Sequence, residues 1–160
     1  MATNIHRVLD NFKWKLEGIT LTNARVNNRL AEYDPLLEPI PQCSSAWFRR
    51  FYIEWNDSGE DGHATDSDRR EAAHLFRLFI NYPEILPHNV LRDLYLQDRH
   101  DIAKTLRAPA SRLGYDASNT TTDIGLYHRK RVGDAMQIGT FEKVRQLVTD
   151  WRCLIREDEQ

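Results

Sequence analysis

Two stretches of the chain alternate in steps of two, the period of a pleated strand. In residues 46–55, Trp47, Phe51, Ile53 and Trp55 fall on one side, joined by the stem of Arg49, while Phe48, Arg50, Tyr52 and Glu54 fall on the other. In residues 74–82, Phe76, Leu78, Ile80 and Tyr82 alternate with Leu75, Arg77, Phe79 and Asn81. Aromatic and β-branched residues pack well on a pleated surface, so the pattern predicts two paired strands. Both faces mix aromatics with arginines. Such a sheet is expected to meet helices on one side and a partner on the other, which points to assembly rather than catalysis.

A helical period governs the start of the chain. From Asn4 to Glu17, Ile5, Val8, Leu9, Phe12 and Leu16 recur on one face, with Thr3 or Asn4 as N-cap and Gly18 as a stop. Residues 19–30 predict only a short strand or extended arm, because Asn23, Asn27 and Asn28 interrupt Ile19, Leu21 and Val26. Pro35, Pro39 and Pro41 make residues 34–41 a connector. The acidic stretch 56–73 reads as a long charged loop.

A second helix starts at His88 or Asn89, carries Val90, Leu91, Leu94, Tyr95, Ile102 and Leu106 on its apolar face, and ends before Pro109. Residues 111–123 form a polar loop, and strands follow at 124–132 and 146–157. The order predicts an α+β fold: a mostly antiparallel sheet of about four to five strands with two main helices packed on it. Residues 1–160 are expected to form one domain. At this length a chain buries roughly 70% of its unfolded surface, enough for a true core.

Charge changes this picture little. The 22 basic and 24 acidic residues leave a net charge of −2, so any basic surface for nucleic acid must be local. Cys43 and Cys153 fit no zinc spacing and no disulfide framework, and are expected to be free thiols in a reducing compartment. Residues 1–11 lack the apolar run of a signal peptide, and no window approaches a membrane span. The expectation is a soluble protein with no membrane partner.

Candidate chemistry is sparse. Asp98, Arg99, His100 and Asp101 form the densest polar cluster, but on a helix His100 points away from the two carboxylates. A solvated or interfacial ion-pair stripe is expected, with Asp98 meeting Arg99 or Arg112. His63, Asp66 and Asp68 match no calcium loop. His74 and His128 lie in predicted strands and could approach one another, though hydrogen-bonded structural roles are favoured. No nucleophile motif or Gly-rich phosphate loop occurs. Catalytic, metal and cofactor-binding residues are therefore expected to be absent. The one basic run, from His128 through Arg129 and Lys130 to Arg131, suits either phosphate contacts or the protection of an edge strand by charge.

The chain as a whole resembles a tail terminator of long-tailed bacteriophages. The likeness rests on the opening helix, the strand Trp47-Phe48-Arg49-Arg50-Phe51-Tyr52-Ile53, the charged stretch, and Arg70-Glu71-Ala72-Ala73-His74-Leu75-Phe76-Arg77-Leu78. It continues through Asn81-Tyr82-Pro83, the second helix, Gly114-Tyr115-Asp116 and a closing strand ending in Arg156-Glu157. The resemblance implies a non-enzymatic α+β subunit that self-associates as a homohexameric ring. Such a ring touches the tail tube protein on one side and a head-tail connector or stopper protein on the other. It belongs to the virion neck, is assembled in the host cytoplasm, and meets DNA only as DNA passes through.

The 56–73 and 111–123 segments depart from the compactness of such subunits. The residues expected at an interface are Asp61, Asp66, Asp68, Arg69, Arg70, Arg129, Lys130 and Arg131. The alternatives are another head-tail connector or tail-completion protein, or a nucleic-acid-associated binding module or enzyme. That last reading would use Arg129, Lys130 and Arg131 with the acidic 57–68 stretch.

Overall fold

The computed structural model describes residues 4–24, 26–38, 41–57, 63–66, 69–107, 128–138 and 143–157. Its elements are α1 (Asn4–Glu17), β1 (Ala31–Glu32), a 3-10 turn (Ser45–Trp47), β2 (Arg50–Asp57), β3 (His63–Asp66), β4 (Arg69–Pro83), α2 (His88–Arg107), β5 (His128–Ile138) and β6 (Val144–Glu157). The sheet order is β1-β2-β4-β6-β5, and β3 pairs with β4 beyond the end of β2. All pairings are antiparallel except the short parallel contact of β1 with β2. This is an α+β fold with two helices packed on a sheet, as the periodicities predict.

One face of the sheet meets the helices. Val8, Phe12 and Leu16 of α1 and Leu91, Leu94, Ile102 and Leu106 of α2 are buried against Phe51, Phe76, Leu78, Ile80, Tyr82, Leu147 and Trp151. The Phe12 ring lies 5.4 Å from Phe76 and 6.3 Å edge-on from Trp151, bridging the two central strands. Gly18 closes α1 by donating its N–H to Trp14 O at 3.0 Å, after which Ile19, Leu21 and Leu30 tuck their side chains into the same core. The expected arm over 19–30 is thus irregular backbone that ends in the two-residue β1.

Three local expectations need correction. The predicted strand over 46–55 is broken: Ser45–Trp47 is a 3-10 turn and Arg49 adopts φ 62°, so regular pairing starts at Arg50. The turn resets the alternation. Trp47 consequently leaves the helix side and packs edge-on against Tyr33 at 5.2 Å, with the Arg50 guanidinium 4.9 Å above its ring.

The stretch 56–73 is not one loop. β2 extends to Asp57, β3 occupies His63–Asp66, and β4 already starts at Arg69. β6 supplies the ladder partners that hold the polar end of β4, with Arg70 opposite Glu157 and Glu71 opposite Arg156. Finally, β5 runs on to Ile138 through a register shift between Arg131 and Gly133. The expected loop at 111–123 and the first residues of the strand expected at 124–132 lie outside the described residues.

Candidate functional site

The most elaborate polar arrangement in the described residues is buried beneath α2. Arg49 and Asp98 are both fully buried and pair side-on, Nε to Oδ2 at 2.9 Å and Nη2 to Oδ1 at 2.8 Å. Arg49 Nη2 also donates to Asn23 O at 2.7 Å, and the Tyr82 hydroxyl donates to Asp98 Oδ2 at 2.8 Å. The left-handed backbone of Arg49 is fixed from both sides, its N–H on Asn81 O at 2.8 Å and its carbonyl accepting from Ala31 N at 3.3 Å. One cluster therefore ties β2, β4, α2 and the 18–30 segment together.

Burial raises the Asp98 pKa, opposed by the hydrogen bonds and charge of Arg49 and by the Tyr82 donor. Burial, followed by the charge of Asp98, pushes the Tyr82 hydroxyl well above its ordinary range. In place of the expected pairing with Arg99 or Arg112, Asp98 faces the core with Arg49 as its partner, and Arg112 lies outside the described residues. The position of Asp98 on the apolar stripe with Leu91, Leu94 and Ile102 is the signal for that burial.

The neighbouring Asp101 is half-buried and structural. It accepts from Thr22 N at 2.9 Å, Thr22 Oγ1 at 3.2 Å and Gln97 Nε2 at 3.0 Å, while His100 is exposed. Beside it lies a cleft of about 400 Å³ lined by Trp14, Lys15, Ile19, Thr22, Asp101 and Lys104.

Among the described residues, the opposite face of the sheet is covered only in part. At one end, Tyr33 and Trp47 close over it. Asn81 Nδ2 donates to Tyr33 Oη at 3.0 Å, Gln146 Nε2 donates to Asn81 Oδ1 at 2.9 Å, and Arg50 grips Glu38 through contacts of 2.7 and 2.9 Å. Further along, Tyr52 stacks on Phe79 with centroids 4.5 Å apart and planes 9° from parallel. Arg77 then pairs with Asp150 at 2.7 and 3.2 Å. Burial lifts the Tyr52 pKa to about 12, and the Asp150 hydrogen bond raises that of Arg77. Leu75, Tyr52 and Phe79 are only half-buried here. The tight turn after β1 projects Leu36 and Leu37, 91% and 84% exposed, held by Leu36 N on Asp34 Oδ1 at 2.9 Å.

The residues expected at an interface fall into two groups. Asp66, Arg69 and Arg70 lie at the pairing of β3 with β4, with Asp66 opposite Arg69 and Arg70 opposite Ala64. Arg129, Lys130 and Arg131 lie on β5 opposite Cys153, Arg152 and Trp151, on the far side of β6 from β4. Asp61 and Asp68 lie outside the described residues. His74 and His128 are kept apart by β6. The buried His74 instead accepts from Trp55 Nε1 through Nδ1 at 3.1 Å.

Among the described residues no group of three or more His, Cys, Asp or Glu side chains could hold a metal ion, and no helix is long and apolar enough to cross a membrane. The sequence matches no protein-family model and no curated protein.

Proposed function

We propose that this protein is a structural subunit of a bacteriophage neck, a tail terminator that closes the tail tube as a ring and joins it to the head connector. The observation that carries the reading is the unequal treatment of the two sheet faces. One is sealed by both helices, and the other presents half-buried Leu75, Tyr52 and Phe79 beside the Arg77–Asp150 pair. Aromatics and arginine on an incompletely covered face are the composition of an interface core rather than of a solvated surface. The exposed Leu36–Leu37 tip adds a second apolar contact elsewhere on the subunit. Different patches on one chain suit the heterologous contacts from which rings are built.

In this reading the role is non-enzymatic, the partners are further copies, the tail tube protein and a connector or stopper protein, and the site of action is the virion. The test is the mass of the purified 18.8 kDa chain alone and after mixing with tail tubes. A hexamer bound at tube ends supports the proposal, and a monomer under both conditions overturns it.

A second reading, a nucleic-acid-binding module, draws on the register of Lys130 opposite the exposed Arg152, which gathers positive charge at the β5 edge. DNA retention that falls steeply with salt would favour it.

A further inference from the structure

Among the described residues, the sheet ends in two margins that no further strand pairs with, opposite in charge and at the same height. At one margin, β1 and the Tyr33 N–H pair with β2 only as far as Phe51. Among the described residues no strand pairs with the outer edge of β2 from Tyr52 to Asp57. At the other margin, β5 pairs only with β6 among the described residues. The first carries Glu54 and Asp57, with Asp66 on the adjoining β3. The second carries Arg129, Lys130 and Arg131.

The ladder registers relate the two margins level by level. Arg131 lies opposite Trp151, Trp151 opposite Phe76, and Phe76 opposite Trp55. Arg129 follows the same path through Cys153 and His74 to Asp57, and Lys130 through Arg152 and Leu75 to Asn56. A neighbouring copy displaced sideways across the sheet would set its basic run beside Trp55, Asn56 and Asp57 of the first, next to Glu54.

Direction agrees as well. β2 and β6 run one way and β4 and β5 the other, so a rotation about an axis along the strands brings β5 of one copy antiparallel to β2 of the next. Antiparallel edges pair without a crossover. A two-fold pairing of β5 with itself over the basic run would oppose like charges, as would β2 with β2, and like charges directly opposite are destabilising. The charges that blunt each edge against its own kind therefore leave the mixed pairing open.

We infer that the basic edge strand β5 of one copy docks on the acidic edge of β2 in the next, a heterologous contact that repeats from subunit to subunit. The inference rests on the ring reading and specifies which margins meet.

The test uses two variants of the full chain. Arg129→Glu with Lys130→Glu and Arg131→Glu makes the β5 edge acidic like that of β2, and Glu54→Lys with Asp57→Lys makes the β2 edge basic like that of β5. Each alone should lose self-association by about tenfold or more, with the helical and strand circular-dichroism signature of the parent retained. Mixing the two should restore assembly at one-to-one stoichiometry. Assembly by either variant at parental strength, or no assembly by the mixture, overturns the inference.

A crosslink guards against misfolding of the charge variants. With Cys43→Ser and Cys153→Ser as background, Lys130→Cys plus Asn56→Cys should give a ladder of oxidised oligomers that neither single cysteine change gives. Absence of the ladder under conditions where the parent assembles also overturns the inference. A parent chain that forms rings on tail tubes while these variants behave like it removes the edge contact alone. A parent that stays monomeric with and without tubes removes the ring reading and this contact with it.

Discussion

Arg49 occupies a backbone conformation that non-glycine residues rarely adopt, φ 62°, with its side chain fully buried. The site persists because every constraint agrees: the N–H and carbonyl are hydrogen-bonded, and the guanidinium meets Asp98 side-on. Removing one partner leaves the other charged and buried, so Asp98→Ala should cost about 3–5 kcal/mol. An unchanged urea midpoint would refute this. Half of the pair is legible in the sequence, since Asp98 interrupts an apolar helical stripe. Its partner is not, because Arg49 is distant in sequence and sits in a turn that strand alternation conceals.

A pH effect follows from the buried phenols. Tyr52 is raised to about 12, and Tyr33 and Tyr82 are raised as well, each chiefly by burial. A folded-state pKa above the unfolded value near 10 means that the native state holds the proton longer. The stability linked to Tyr52 is therefore complete below about pH 10 and is lost as pH rises through about 12. Absorbance titration at 295 nm should show a late phenolate step that Tyr52→Phe removes. A step for that residue near 10 in the folded protein would contradict the packing described.

At the scale of elements, alternation and helical period locate α1 and α2 and the central parts of β2, β4 and β6. Leu78, buried on the helix side, is expected to cost about 2–5 kcal/mol on truncation to Ala. A melting midpoint unaffected by Leu78→Ala would mean that β4 faces the other way. Periodicity does not reveal β3, the polar start of β4, the first two residues of β6, or β5 past Val132. Those segments carry too few apolar residues to show a face, and what makes them strands is a ladder partner far along the chain, such as Glu157 for Arg70.

The Asp34–Glu38 turn offers a further check. Its Asp34-held leucines contribute nothing to the core, so Leu36→Ser with Leu37→Ser should leave the unfolding midpoint within about 0.5 kcal/mol of the parent while weakening attachment to tail tubes. Undiminished attachment would remove this tip from the contact.

For the whole molecule, the α+β class and the pairing of helices with one sheet face are legible from pattern alone. The residues expected at an interface are legible in sequence only as charge clusters. That Asp66, Arg69 and Arg70 lie at the pairing of β3 with β4, while Arg129, Lys130 and Arg131 lie on β5 at the other side of the sheet, depends on strand order, which local periodicity does not encode. The central claim is that the subunit exists to assemble. Its most direct test is sedimentation velocity of the purified chain with and without isolated tail tubes, at low and at physiological salt. The account predicts a hexamer that co-sediments with the tubes and binds less tightly as salt rises. A monomer that never joins the tubes at either salt concentration would contradict it.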